Sequence, residues 1–186
     1  MKTITVILTL MSTISVVQSQ ESAPFPPAPS GVSAVTTVAA DNEPGTRIVI
    51  TGSVFQSDRK TPYTGLVLYF YQTDATGVYN KTDGSYLKPR LYGWVKTDAE
   101  GRYEIRTIKP GSYPRRKEAA HIHVTVRRSG PSPRWLDSFL FEGDPNLNEE
   151  ERMQPQKLGR LSPVVRLTKV KDGVLRAERD FVIPEG

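Results

Sequence analysis

The stretch TRIVITGSVF, residues 46–55, is dense in β-branched residues and reads as a β-strand. The same texture continues along the chain. GLVLYFYQT (65–73) and LYGWVKT (91–97) follow, and the turn DAEG leads into RYEIRTI (102–108). HIHVTVRR (121–128) and WLDSFLF (135–141) come next. Near the end, VVRLTKV (164–170) and VLRAERDFVI (174–183) flank residues 171–173, whose Asp-Gly pair suits a hairpin turn. One short segment, NLNEEERM (146–153) after Pro145, is suited to a turn or two of helix. Short strands separated by Gly, Pro and Asp turns predict an all-β fold, an antiparallel β-sandwich with little helix. Neither an internal repeat nor a shift in composition divides it, so residues 46–186 are expected to form one domain.

Upstream of that domain the chain changes character twice. A short basic start, MK, precedes an apolar run (3–17) and the small residues of VQS (17–19), the pattern of a cleaved secretory signal peptide. The run is too short and too broken by Thr and Ser for a membrane span, so none is expected in the mature form. Residues 20–45 read as an extended Pro- and Ser-rich arm, including ESAPFPPAPSG (21–31). Export to the periplasm or the cell exterior is expected. The chain has no cysteine, so packing, hydrogen bonds or a metal must do what disulfides do in many exported proteins. Its net charge is +5, and the positive residues are dispersed. Nucleic-acid binding is therefore not expected, whereas a small anionic ligand could be drawn to the surface. A homo-oligomer is compatible with the sequence.

The only two histidines, His121 and His123, occupy one strand. Residues two apart on a strand share a face, so both imidazoles project together while Ile122 and Val124 turn to the opposite layer. That arrangement is half of a metal site, and it is equally what two hydrogen-bonded histidines of a structural strand would look like. With no third histidine and no cysteine, an ordinary zinc site or a two-histidine iron(II) site would need a carboxylate that the sequence does not single out.

Four motifs in order extend the reading: TDAEGRYEIRTIKPGSYP (97–114), AAHIHV (119–124) and FEGDP (141–145) contain the turn, the RTI-x-P-x-x-YP segment, AHIH and FEGDP. In this the chain resembles the intradiol ring-cleavage dioxygenases, and their protocatechuate 3,4-dioxygenase branch most. The resemblance covers about residues 46–145 and omits the helical N-terminal domain of larger members. It implies a non-haem iron(III) cofactor held by His121, His123, Tyr113 and a second tyrosine. Tyr79, in TDATGVYNKTDGSY (73–86), matches that second position, with Tyr86 as the alternative. Phenolate and imidazole donors suit a hard trivalent ion, whose charge offsets that of the buried phenolates. The implied reaction joins a catechol-type aromatic and O2. The catechol displaces Tyr113, and the ring opens between its two hydroxyls to a muconate-type diacid.

Two departures touch the chemistry. Family members carry an arginine three residues before the first histidine, where it stabilises charge developing on the substrate; Glu118 stands there. A glutamine ahead of the FEGDP motif is replaced by Ser138. Arg115, Arg116 or Lys117, in the short segment after Tyr113, could fold back and supply the missing cation, or the three could form a solvated basic loop. Asp144 is expected to cap the helix that follows, and Trp94 and Trp135 to be core or rim aromatics. Two rivals remain open: a transthyretin-like binding module that kept the sandwich and lost the reaction, and a copper or zinc protein using the same histidines.

Overall fold

The computed structural model describes residues 27–79, 89–127, 133–170 and 173–184. The expected signal segment, Tyr86, and Lys171 and Asp172 of the expected hairpin turn lie outside them. Two sheets pack face to face. In the first, β2 (Arg47–Phe55) lies antiparallel to β5 (Arg102–Ile108), with Ile50 opposite Ile105. The second is built around β3 (Val67–Gln72), antiparallel both to β4 (Leu91–Lys96) and to β6 (His121–Arg127); β7 (Arg134–Phe141) extends it beyond β6. The apolar residues of the inward faces, among them Ile48, Ile50, Leu68, Phe70, Ile105, Ile122, Val124 and Phe139, fill one buried cluster.

Antiparallel pairing holds at the centre of both sheets, and the edges add parallel contacts. β1 (Val35–Thr37), within the stretch expected as an arm, lies parallel to β5. The helix α1 (Glu149–Leu158) returns the chain to the end of the sheet it has just left, so β8 (Val164–Val165) runs parallel to β7. β9 (Thr168–Lys169) and β10 (Leu175–Glu178) form the expected antiparallel hairpin, and β10 lies parallel to β2.

The segment 174–183, expected as one strand, breaks at Arg179 and Asp180 before β11 (Phe181–Val182) resumes beside β2. Gly52 of β2 allows the break. A β-carbon there would stand 1.6 Å from the Arg179 carbonyl oxygen, so only glycine admits that crossing.

Helix α1 also differs from its sequence reading. It runs five residues further, through Pro155, which removes one backbone donor from a segment otherwise rich in helix formers. Its N-cap is Asn148, not Asp144: the Asn148 side chain accepts from the Glu151 backbone N–H, and the Glu151 carboxylate accepts from that of Asn148. Asp144 is buried elsewhere, taking the Ala120 N–H on Oδ2 at 3.0 Å and the Asn146 N–H on Oδ1 at 2.9 Å. It ties the FEGDP turn to the start of β6.

Candidate metal centre

Because Ile122 and Val124 face the core, His121 and His123 face outward from the second sheet. Two loops bring tyrosines over them. The first, residues 73–79, is wound around Asp74, whose Oδ1 accepts from the Thr76 and Val78 N–H groups and from the Thr76 hydroxyl at 2.7–3.1 Å. Burial raises the Asp74 pKa, but those hydrogen bonds outweigh it and leave the carboxyl below its usual range. The second loop carries Tyr113. The two are joined where the Gly111 N–H donates to the Asp74 carbonyl at 2.9 Å and the Thr73 hydroxyl to the Gly111 carbonyl at 2.9 Å.

Four donor atoms converge as a result. The Tyr79 and Tyr113 hydroxyls are 2.6 Å apart, and the His121 and His123 Nε2 atoms 3.0 Å apart. Tyr113 Oη lies 3.2 Å from His121 Nε2 and 3.5 Å from His123 Nε2, while Tyr79 Oη lies 3.0 Å from His123 Nε2. His121 Nδ1 is 2.7 Å from the Ala119 carbonyl oxygen, which only accepts, so Nδ1 carries the proton and Nε2 presents its lone pair to the cluster. His123 Nδ1 has the Ser138 hydroxyl at 3.4 Å, the long end of hydrogen bonding, and its ring stacks on Tyr71 at 4.4 Å.

The electrostatics favour a cation here. Burial, with His121 alongside, pulls the His123 pKa down to about 3, so the ring is neutral at ordinary pH and no proton competes for its lone pair. Burial pushes the Tyr79 hydroxyl well above its usual range, reinforced by its hydrogen bond to Tyr113, with Glu118 adding least. Tyr113 is raised mainly by burial. A multiply charged ion at the centre would reverse both shifts, since it attracts the phenolates that burial disfavours. Two hard oxygens, two imidazole nitrogens and no sulfur form a donor set suited to a hard trivalent ion. Among the described residues, His, Asp and Glu alone make no cluster of three or more, so the tyrosines are what complete the set.

Other residues named in the sequence take varied places. Arg115 and Arg116 are exposed in the turn after Tyr113, and the Arg116 guanidinium stands 5.8 Å from the Tyr113 ring centre. Glu118 lines a cleft of about 640 Å³ that also takes in His121, His123, Lys117, Asp137, Ser138 and the exposed side of α1. The charge there is mostly negative. Trp94 packs on Tyr69 and Tyr92, away from the cluster. Trp135, 52% exposed, sits edge-on to His123 at 5.7 Å and forms the rim of the site. Tyr71, stacked on His123, and Asp74, at the heart of the Tyr79 loop, lie against the cluster, and none of the four motifs includes them. Asp74 alone had a local signal, an Asp-x-Thr turn pattern ahead of Tyr79.

Known proteins match the chain both in sequence and in fold. A family model described as dioxygenase matches residues 24–173. The protocatechuate 3,4-dioxygenase beta chain of Burkholderia cepacia is 36% identical over 113 residues, 55% of this chain and 48% of that one. Catechol 1,2-dioxygenase 1 of Acinetobacter lwoffii is 33% identical over 117 residues, 53% of this chain and 37% of that one. The chain thus spans about half, or less, of the length of these relatives. Among solved structures, the dioxygenase domain of a dioxygenase–carbohydrate-binding fusion from Streptomyces sp. SirexAA-E superposes with a TM-score of 0.61 at 25% identity, covering 86% of this chain and 94% of that one. An intradiol ring-cleavage dioxygenase from Tetranychus urticae shares the fold with a TM-score of 0.61 at 18% identity, covering 86% and 90%.

Proposed function

The chain belongs to the intradiol dioxygenase family, and on that premise we propose that it binds iron(III) through Tyr79, Tyr113, His121 and His123 and cleaves a catechol-type aromatic with O2 to a muconate-type diacid. One observation carries the reading: two phenol oxygens and two imidazole nitrogens from three separate segments meet, with both tyrosine hydroxyls and His121 Nε2 within 2.6–3.5 Å of Tyr113 Oη or His123 Nε2. When bound, the iron supplies Lewis acidity and a template for the two substrate oxygens.

The protein's own groups do the rest. His121 stays in place because its Nδ1–H is held by the Ala119 carbonyl. Tyr79 stays because its loop is wound on Asp74. Tyr113 would be the ligand that substrate displaces, and its phenolate would then be placed to accept a proton from the catechol. Arg116, beside the Tyr113 ring, supplies the positive charge that Glu118 does not, and is the better placed of the two arginines. Trp135 and Tyr71 wall the aromatic substrate on the His123 side.

A single observation favours a second reading, in which the site binds catechols without cleaving them: the cleft beside the cluster is lined by Glu118, Asp137, Glu150 and Glu151 against Lys117 alone. One experiment separates the two. The protein is reconstituted with iron(III) and its absorption spectrum is taken without air, before and after adding catechol. A visible tyrosinate-to-iron(III) band that moves to longer wavelength with catechol supports the ligand set, and decay of that band with product formation on admitting air supports turnover. A shifted band that air leaves unchanged selects the binding module. A protein that stays colourless sinks the iron reading altogether.

A further inference from the structure

Opposite His123 the β6–β7 ladder slips by one residue. Ile122 pairs with Phe139 and Val124 with Leu136, so Asp137 and Ser138 together face His123. This is a β-bulge on β7. It leaves two carbonyls to be satisfied, and one atom takes both: Arg179 Nη1 lies 2.9 Å from the Asp137 oxygen and 2.9 Å from the Ser138 oxygen.

Arg179 is unusual in its own right. It is 2% exposed, its guanidinium lies 4.9 Å from the Phe139 ring centre and 4.4 Å from that of Phe181, and its Nε makes no hydrogen bond among the described residues. Burial lowers its pKa to about 10, which still leaves it charged at neutral pH. Its backbone is fixed as firmly. The Arg179 N–H donates to the Thr51 carbonyl at 2.9 Å, the Tyr103 hydroxyl donates to its carbonyl at 2.6 Å, and Gly52 lets β2 pass against it. A charge this deeply buried costs stability unless its hydrogen bonds return it, and the acceptors it has among the described residues are the bulge carbonyls.

We propose that Arg179 is a positioning residue for the metal centre: by holding both bulge carbonyls it sets the Ser138 hydroxyl beside His123 Nδ1 and so fixes the tilt of that imidazole. The proposal rests on the reading of His123 as an iron ligand. An imidazole that binds metal through one nitrogen is oriented by what the other nitrogen donates to, and here that acceptor sits on the bulge. The break between β10 and β11 thereby acquires a purpose, since it is what sends Arg179 through the core to the other sheet.

Arg179→Met keeps an unbranched stem between the two phenylalanines and removes the donors. Because the chain has two histidines, long-range nitrogen–proton NMR of the metal-free protein reads each imidazole separately. In folded Arg179→Met we expect the His123 nitrogens to move while His121 does not, and iron(III) affinity to fall roughly ten- to hundred-fold. Arg179→Lys should recover most of both. Ile105→Val, a core truncation in the other sheet, should change neither. Unmoved His123 resonances in folded Arg179→Met overturn the proposal, as does an equal response to Ile105→Val, which would mark a general loss of rigidity. If Arg179→Met does not fold, Ser138→Ala decides: a shifted His123 Nδ1 supports the proposal and an unshifted one overturns it. A wild-type protein that binds no iron while its His123 still answers to Arg179→Met removes the iron reading and leaves the positioning role standing.

Discussion

Gly77 lies so close to Ser112 that a β-carbon on it would stand 1.9 Å from the Ser112 carbonyl oxygen. The contact is reciprocal, since a β-carbon on Gly111 would come within 2.5 Å of the Gly77 nitrogen. Tyr79 and Tyr113 each follow one of these glycines by two residues. The two loops meet backbone to backbone, and that contact brings phenols 34 residues apart in sequence to 2.6 Å.

Gly77→Ala should therefore separate the tyrosines. Gly77 has φ +82°, so the substitution carries both a left-handed backbone penalty of about 1–2 kcal/mol and a clash. Gly65→Ala is the control, with φ +71° and nothing nearer its β-carbon than a flexible lysine atom at 3.6 Å. Both variants should melt lower than wild type. Iron(III) affinity should fall at least roughly ten-fold in Gly77→Ala only, and equal affinities in the two variants would refute the link between loop contact and ligand placement.

Replacing each tyrosine should give different spectra. If Tyr79 is the ligand that substrate does not displace, as proposed, Tyr79→Phe should lose its share of the visible band both alone and with catechol bound. If catechol displaces Tyr113, as proposed, Tyr113→Phe should be altered alone and nearly normal in the anaerobic catechol complex. Each should lower kcat/KM by at least about ten-fold. Titration with catechol under nitrogen, followed by absorption, distinguishes the two patterns.

The sheets were legible in the sequence because strand texture repeats with period two and is interrupted by clear turns. HIHVTV reports its own geometry: alternate residues are apolar and enter the core, so the histidines must leave by the other face. Contacts without local spacing were not legible. Nothing near Arg179 says that it crosses to β7, and the VLRAERDFVI segment has the composition of one continuous strand. Its break is permitted by Gly52, more than a hundred residues away. Asp144 was misread for a related reason. An acidic residue ahead of a helix looks like a cap, yet its acceptors serve Ala120, while Asn148 and Glu151 form the capping box themselves.

Glu118 gives a prediction about substrate charge. It lines the cleft beside the histidines with Asp137, Glu150 and Glu151, so an uncharged catechol should be preferred to one bearing a carboxylate. Glu118→Arg reverses one charge and should raise kcat/KM for a carboxylated catechol by roughly ten-fold relative to unsubstituted catechol, an advantage that shrinks as salt rises. A ratio insensitive to both the substitution and salt would show that Glu118 does not face the substrate.

Acid should loosen the Tyr79 loop before the rest of the sandwich. The Asp74 carboxyl has a folded pKa below its ordinary 3.8, so its ionised form stabilises the fold. That contribution is fully present above about pH 5 and is lost as pH falls through the folded value. Asp74→Asn should cost about 1–2 kcal/mol at neutral pH, with the gap from wild type narrowing below about pH 4. Denaturant melts of metal-free protein across pH 3–7 test this without interference from the iron ligands, and a constant gap would contradict it.

Asp144 offers the same kind of test for His121. Its carboxylate is buried and takes the Ala120 N–H at the residue before His121, while the Ala119 carbonyl takes the His121 Nδ1–H. Asp144→Ala leaves the Ala120 donor buried without its acceptor, at a cost of about 1–3 kcal/mol, which for a chain of this size lowers Tm by roughly 2–12 °C. If the carboxylate only shapes the FEGDP turn, the loss ends there and the imidazole resonances stay put. If it also sets where β6 begins, His121 moves in the NMR spectrum, His123 does not, and iron(III) binding weakens beyond what the change in Tm alone explains. We expect the second result, because the Ala119 and Ala120 backbones are buried and nothing else among the described residues accepts from the Ala120 N–H.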